Sequence, residues 1–154
     1  SRLERLAVFG LPAGGLLRGW GYVRSSGVHA RARLGRPSLA PVLPVEILDR
    51  DDRVEEPSGV APRSDADHPV TAGLGTQWPT LLGYNQLVAR TTGQVLATVG
   101  HDPLLVVSRA DAARTAAFAS DLAPHWATPD FLAWPGYARL FDRLIRWLAT
   151  EELA

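Results

Sequence analysis

The polar residues with the most suggestive spacing for chemistry lie in one segment, Asp121-Leu-Ala-Pro-His-Trp126, which follows an apolar run. His125 comes four residues after Asp121, so the two side chains would lie on the same side of a turn. A carboxylate in that position could orient the imidazole, as a general base requires. Alternatively, Asp121 caps backbone amides while His125 and Trp126 pack the loop. Both interpretations stay open, although the absence of a visible nucleophile nearby favours the structural one.

The other three histidines have simpler explanations. His68 follows Asp67 and precedes a proline, which is typical of a turn, although His68 also stays a candidate ligand-binding residue. His101 lies in a turn-forming His-Asp-Pro sequence, and His29 lies among arginines. No HxH or HExxH spacing occurs, so the sequence predicts no metal site, with a site assembled from distant loops as the alternative.

Nucleophiles of the usual kinds are scarce. The chain contains no cysteine, which excludes disulfides, thiolate ligands and a cysteine nucleophile within these residues. No G-x-S-x-G sequence occurs, which disfavours a serine hydrolase. Aromatic side chains offer a binding hypothesis instead: Trp20, Tyr22 and Trp126 are candidates to line a site for a small polar ligand, with core packing as the alternative.

Composition limits the class of protein. The 154 residues fit one domain, over 1–154, and 46% of them are hydrophobic, as in globular proteins. The 16 basic and 16 acidic residues give a net charge of zero, which argues against a nucleic-acid or membrane-surface binder. No apolar run reaches the length of a membrane span. No cofactor is predicted, and the start without methionine suggests that the front of the domain is missing.

The polar segment is framed by elements that the sequence indicates clearly. Residues 104–108 and 115–120 are predicted as neighbouring strands, the first of them covered on both faces because its apolar run does not alternate. The Thr128-Pro129 sequence predicts the start of a short helix that ends before Pro135. A longer helix over 136–152 has an apolar stripe that would cover one face of the sheet.

The first half of the chain gives weaker signals. Residues 2–9 have helical spacing and are predicted as the end of a helix. The Gly14-Gly15 pair predicts a turn before a short strand at Leu16-Leu17. The polar, proline-containing residues 49–67 are predicted as a long loop. Residues 86–90 and 94–99 are predicted as a hairpin joined by Thr91-Thr92-Gly93.

Taken together, these segments resemble the class I glutamine amidotransferase-like superfamily, and more narrowly its bacterial branch of "putative glutamine amidotransferase" or uncharacterised cytoplasmic proteins. The resemblance rests on AGGLL at 13–17, PVEILDRDDRVEEP at 44–57, DHPVTAGL at 67–74, LLGYNQL at 81–87, VLATVGHDPLLVV at 95–107, AAFASDLAPHW at 116–126 and FLAWPGYARLFDRLIRWLA at 131–149. It implies a cytoplasmic α/β protein with a flavodoxin-like three-layer α/β/α fold and a mixed sheet, whose N-terminal strands are missing here.

The resemblance also locates the expected active site. In the amidotransferases a cysteine nucleophile follows the strand that matches Leu16-Leu17, and a catalytic histidine ends a later strand, close to His125. Here the nucleophile region reads Gly19-Trp20-Gly21-Tyr22 and has no cysteine, which argues against glutaminase chemistry. The leading hypothesis is therefore a non-catalytic module that binds a small polar ligand or assembles as a homo-oligomer. The alternative is a hydrolase that uses His125 and Asp121 with an activated or metal-bound water, on a sugar-related substrate.

Overall fold

The computed structural model describes residues 5–11, 21–24, 43–46, 48, 50–110 and 113–149, the first two segments and residues 110 and 113 by their backbone only. In chain order the strands are β1 (Arg5–Leu11), β2 (Gly21–Arg24), β3 (Val45–Glu46), β4 (Arg53–Val60), β5 (Pro62–Arg63), β6 (Leu81–Asn85), β7 (Val88–Ala89), β8 (Gly93–Val99), β9 (Asp102–Ala110) and β10 (Ala113–Phe118), and the helices are α1 (Pro129–Ala133) and α2 (Pro135–Leu148). Neither helix in this described part has the length and apolarity to span a bilayer.

A six-stranded sheet organises the described part of the chain, in the order β2-β1-β10-β9-β8-β5. Two short ladders, β3 with β7 and β4 with β6, lie outside it. The predicted α/β class is confirmed. All the ladders between described strands are antiparallel, so the parallel component of the predicted mixed sheet is not seen among the described residues.

The core lies between the central strands and α2. The run from Leu104 to Val107 on β9 is buried on both faces of the strand, as its unbroken apolar sequence predicts. Leu140, Leu144 and Leu148 form the buried stripe of α2, and burial of each such side chain contributes about 1.5–3 kcal/mol. Ile145, whose spacing also fits this stripe, is 43% exposed, and Trp147 is buried instead.

The two helices begin as the sequence predicts. Thr128 is the N-cap of α1, because its Oγ1 accepts a hydrogen bond from the Phe131 backbone N–H at 3.1 Å. Proline occupies the first position of each helix, where no amide hydrogen is needed. The ring of Phe131 stacks on the ring of Phe118, with their centroids 6.5 Å apart. Phe118 is the last residue of β10, so this contact packs α1 against the end of that strand.

The predicted helix over residues 2–9 is wrong, because residues 5–11 form the strand β1. This strand pairs with β10 on one side and with β2 on the other, so neighbouring strands satisfy its backbone groups. A short apolar run cannot be assigned to helix or strand from periodicity alone. Gly21 and Tyr22, which the resemblance places in the nucleophile region after a strand, themselves belong to the strand β2. The predicted turn at Gly14-Gly15 and strand at Leu16-Leu17 lie outside the described residues.

The predicted loop over residues 49–67 is also wrong, since it contains β4 and β5. The strand β4 pairs with β6, with a register shift between Glu55 and Val60. Pro57 lies inside this irregular stretch, where a residue without an amide hydrogen does not break a ladder bond. Proline therefore marks a bulge here, and not a loop.

For residues 86–90 and 94–99, the predicted turn is confirmed, but the predicted pairing of the two strands with each other is wrong. A hydrogen bond from the Gly93 N–H to the Arg90 carbonyl closes the turn at 2.8 Å. However, β7 pairs with β3, whereas β8 pairs with β9 and β5. Gly93 does not adopt a left-handed conformation; a Cβ there would lie 2.5 Å from the Pro44 carbonyl oxygen, so close packing is what requires glycine.

Candidate functional site

The loop after β10 is held in place by its neighbours. The Ala119 N–H donates to the Leu104 carbonyl and the Ala119 carbonyl accepts from the Asn85 N–H, both at 2.8 Å. Ser120 is buried, and its Oγ donates to the Gly83 carbonyl at 2.8 Å. These bonds fix the chain between β9 and β6 and place Asp121 at a defined position. They also engage the Ser120 hydroxyl, which makes it unsuitable as a nucleophile.

Asp121 and His125 form a hydrogen-bonded pair, as their spacing predicts. The Asp121 side chain is fully buried, and its Oδ2 lies 2.8 Å from His125 Nδ1. The same oxygen accepts the Trp126 backbone N–H at 3.1 Å, which marks it as an acceptor. The Nδ1 of the neutral imidazole therefore carries the proton, and Nε2 has the free lone pair. Because 40% of the His125 side chain is exposed, the imidazole is open to solvent.

The second carboxylate oxygen of Asp121, Oδ1, is also a hydrogen-bond acceptor. This oxygen is buried and has no hydrogen-bond partner in the described structure. A buried carboxylate oxygen of this kind is costly unless something donates to it. The partly exposed imidazole that Asp121 orients is the group of this pair that can hydrogen-bond to a polar molecule or accept a proton from one.

The indole of Trp126 packs against the imidazole of His125. The Trp126 side chain is buried, and its ring centroid lies 5.4 Å from that of His125 with the planes tilted by 36°. The indole lies against β6 at Gly83, where a Cβ would be only 2.4 Å from the indole nitrogen. The indole N–H donates to Glu55 Oε2 on β4 at 3.2 Å. The Trp126 carbonyl accepts the Leu82 N–H at 2.8 Å, so the backbone is fixed as well.

Glu55 and Gly83 were missed by the sequence analysis. The two residues face each other across the β4–β6 ladder. A usable signal was present in the LLGYN strand, because a glycine in a strand interior often marks a close approach by another group. No comparable signal pointed to Glu55, since an acidic residue on an exposed strand is ordinary.

His68 lies in a different part of the molecule from His125. Its Nδ1 accepts the Val70 N–H at 3.2 Å, and its ring packs edge-on against Trp147 at 5.4 Å. Burial lowers the pKa of His68, and the positive charge of Arg114 lowers it further. Trp147 lies at the end of α2, whereas the Tyr137 hydroxyl near its start donates to the Leu122 carbonyl in the loop of His125, and ten helical residues span roughly 15 Å.

The remaining predicted site residues are not placed by the structure. Trp20 lies outside the described residues. For Tyr22 only the backbone, in β2, is described. Whether His68, Trp20 or Tyr22 binds a ligand stays a prediction. Among the residues whose side chains are described, no three histidine, aspartate or glutamate side chains gather closely enough to hold a metal ion.

A second polar network joins β4, β6 and β9. Asn85 Nδ2 donates to the buried Asp52 Oδ1 at 2.9 Å. Asp102 Oδ2 accepts from the Tyr84 hydroxyl at 2.9 Å and from Gln86 Nε2 at 3.1 Å. Burial, helped by Asp102, raises the pKa of Tyr84 to about 12. These bonds connect the strands, and within the network Asn85 Oδ1 is a buried acceptor without a hydrogen-bond partner in the described structure.

A cavity of about 350 Å³ lies away from His125, at the β5–β8 edge of the sheet. Its charged residues are Arg63 and Asp65, which form an exposed ion pair at 3.8 Å. The apolar wall comes from β8. Its lining residues are Arg63, Asp65, Ala66, Val95, Leu96, Ala97 and Thr98.

An α/β domain with a histidine in the loop that follows a central strand is what the amidotransferase-like resemblance implied. A family model described as "Putative glutamine amidotransferase" (GATase1-like) matches residues 1–150, and the chain belongs to this family.

Two solved structures are similar to the chain, both of them cytoplasmic proteins from Salmonella typhimurium, one from strain LT2. Each is 42% identical to it with a TM-score of 0.71. The matches cover 76% and 78% of this chain, and 48% and 49% of the respective Salmonella chains. The chain thus spans about half the length of the structures it matches. No curated protein matches it.

Proposed function

We propose that this glutamine amidotransferase-like chain binds a small polar ligand through His125 and does not perform cysteine-dependent glutamine hydrolysis. The observation that carries the proposal is the 2.8 Å bond between His125 Nδ1 and the buried Asp121. This bond leaves Nε2 on a partly exposed imidazole as an acceptor for a ligand donor. The 154 residues contain no cysteine, so none of them can supply the thiolate that glutaminase chemistry uses.

The proposal also covers the fold of the whole domain, its location in the cell and its assembly. We propose a flavodoxin-like three-layer α/β/α arrangement for the whole domain, a cytoplasmic location, and assembly as a homo-oligomer. The family match and the similarity to the two cytoplasmic Salmonella proteins support the location. The zero net charge supports the view that neither nucleic acid nor a membrane surface is a partner.

A titration of the purified chain tests ligand binding. L-Glutamine and trehalose serve as probes, and the imidazole resonances of His125 report the contact. We expect at least one probe to shift these resonances, and we expect the binding to be lost in His125→Ala. Binding that survives in His125→Ala, or no shift with either probe, would contradict the proposal.

An assay of ammonia release from L-glutamine tests the absence of glutaminase chemistry. The expected result is the same background rate for the wild-type chain and for His125→Ala. Release of ammonia that disappears in His125→Ala would overturn the proposal, because it would show that the chain hydrolyses glutamine through this histidine.

A hydrolase that uses His125 and Asp121 with an activated water is the alternative function. The Asp121–His125 bond favours it, since a carboxylate that orients an imidazole is how many general bases are held. Hydrolysis of a p-nitrophenyl glucoside, with and without added zinc, separates the two functions. A rate lost in both His125→Ala and Asp121→Asn would establish the hydrolase, whereas no turnover would exclude it for this substrate.

A further inference from the structure

We infer that Glu55 is a positioning residue that fixes the His125 imidazole through Trp126; the inference rests on the proposed role of His125. Glu55 does not contact His125 in the hydrogen bonds that the structure describes. Its Oε2 accepts the Trp126 indole N–H at 3.2 Å, and the indole in turn packs against the imidazole. Glu55 thus connects a strand distant in the sequence to the orientation of the candidate binding group.

Glu55 gives the buried indole a directional contact, because it accepts the hydrogen bond of the indole nitrogen, whereas the contact with Gly83 is van der Waals packing. Gly83 has no side chain, and the indole lies directly over its backbone. This contact gives no directional bond. Glu55 lies opposite Gly83 in the β4–β6 ladder and supplies the directional bond at the indole nitrogen. Together the two residues determine where the ring of Trp126 lies.

The position of the indole bears on His125 in two ways. The two rings are in contact, with centroids 5.4 Å apart, so rotation of the indole changes the space open to the imidazole. In addition, Asp121 Oδ2 accepts both the Trp126 backbone N–H and His125 Nδ1. Any shift of residue 126 therefore disturbs the acceptor that holds the proton on Nδ1.

The consequence is a change of tautomer. While the imidazole is aligned with Asp121, the proton resides on Nδ1 and Nε2 is free to accept a hydrogen bond. An imidazole that leaves this alignment gains the tautomer with its proton on Nε2. Loss of Glu55 therefore reduces the population that presents a lone pair to a ligand.

Nitrogen-15 spectroscopy of the imidazole in the ligand-free chain tests the inference, at alkaline pH where the ring is neutral. We compare the wild-type chain with Glu55→Gln, which keeps an acceptor oxygen, and with Glu55→Ala, which removes it. The Nε2 resonance should move upfield, towards the protonated position, by more in Glu55→Ala than in Glu55→Gln. Glu56→Ala is the matched control, one residue further along β4, and should leave the resonance unchanged.

A double variant tests whether Glu55 acts through the indole. Trp126→Phe removes the indole N–H, so Glu55→Ala should produce no further shift in that background. No shift in Glu55→Ala, or an equal shift in the Trp126→Phe background, would overturn the inference. If Trp126→Phe does not fold, the comparison of the Nε2 resonance in Glu55→Ala with that in Glu56→Ala decides whether the inference stands. Because no ligand is added, a failed titration with glutamine and trehalose would sink the proposed function without affecting this result.

Discussion

At the scale of single residues, His125 is defined by what lies around it. A buried carboxylate holds its Nδ1, a buried indole lies against its ring, and 40% of its side chain faces solvent. The spacing of Asp121 and His125 was enough to predict their contact, because four residues bring side chains together within one turn. The contribution of β4 and β6 could not be predicted, since it depends on strands paired across the chain.

The close approach of Gly83 and Trp126 gives a stability prediction. Gly83→Ala introduces a Cβ that would lie 2.4 Å from the indole nitrogen, so the indole must move. Overpacking of this kind costs about 1–3 kcal/mol in the free energy of unfolding. Urea denaturation measures the loss. In a Trp126→Leu background the same substitution should cost much less; an equal cost would show that the indole is not the obstacle.

His68 gives a prediction on pH. Burial and Arg114 lower its pKa below the ordinary 6.5, so the folded state binds its proton less readily than the unfolded state does. The stability that neutral His68 contributes is present above about pH 6.5 and is lost as the pH falls below it. His68→Asn retains a side-chain acceptor for the Val70 N–H and should flatten this acid loss, measured by thermal unfolding between pH 7 and pH 5.

The exposed His101 provides the control for this pH effect. It lies in the turn between β8 and β9, and His101→Asn should leave the dependence on pH as in the wild-type chain. If the stability of His68→Asn fell between pH 7 and pH 5 as steeply as that of the wild-type chain, the loss of stability in acid could not be assigned to His68.

At the scale of elements, local sequence patterns predicted the helices and those strands whose pairing partners are near in the sequence. The strands β9 and β10 follow one another directly, α1 carries its own N-cap and α2 its own apolar stripe, so their existence could be predicted from short segments. The strands β1 and β4, and the partner of β7, could not be predicted in this way. Pairing of β1 with β10, of β4 with β6 and of β7 with β3 joins segments at least 20 residues apart in the chain, and such pairing overrides local preference.

The start of α1 gives a prediction at this scale. Thr128 Oγ1 accepts from the Phe131 N–H at 3.1 Å and donates to the Thr80 carbonyl at 2.8 Å, so it both caps the helix and ties it to the strand region. Thr128→Ala should lower the free energy of unfolding by about 1 kcal/mol, as loss of an N-cap does. Thr128→Ser keeps the hydroxyl and should lose much less; equal losses in chemical denaturation would argue against the cap.

At the scale of the whole molecule, the chain is a member of the GATase1-like family that spans about half the length of the solved structures it matches. Among the described residues, the six-stranded sheet ends in β2 on one side and in the two-residue strand β5 on the other. Outer strands present backbone groups that can pair with another chain, but the outer side of β5 is already occupied, because the Trp78 N–H donates to the Pro62 carbonyl at 3.0 Å and the Ser64 N–H donates to the Thr76 carbonyl at 2.9 Å.

Assembly through the sheet is therefore expected at the β2 side. Sedimentation equilibrium should give a mass above the 16.6 kDa of one chain, with the proportion of larger species rising with concentration. A substitution of proline for Val23 in β2 should shift the distribution towards single chains, whereas the same mass of 16.6 kDa at every concentration would contradict homo-oligomer formation.

The central claim is that Asp121 orients His125 so that the imidazole binds a ligand, and the affinity for a bound probe tests it most directly. The dissociation constant is measured for wild type, for Asp121→Asn and for the exposed control Asp130→Asn, with whichever of L-glutamine and trehalose binds the wild-type chain. We predict that binding weakens about tenfold in Asp121→Asn, as loss of one charge-assisted hydrogen bond implies, and stays unchanged in Asp130→Asn. Equal affinities in all three proteins would contradict the account.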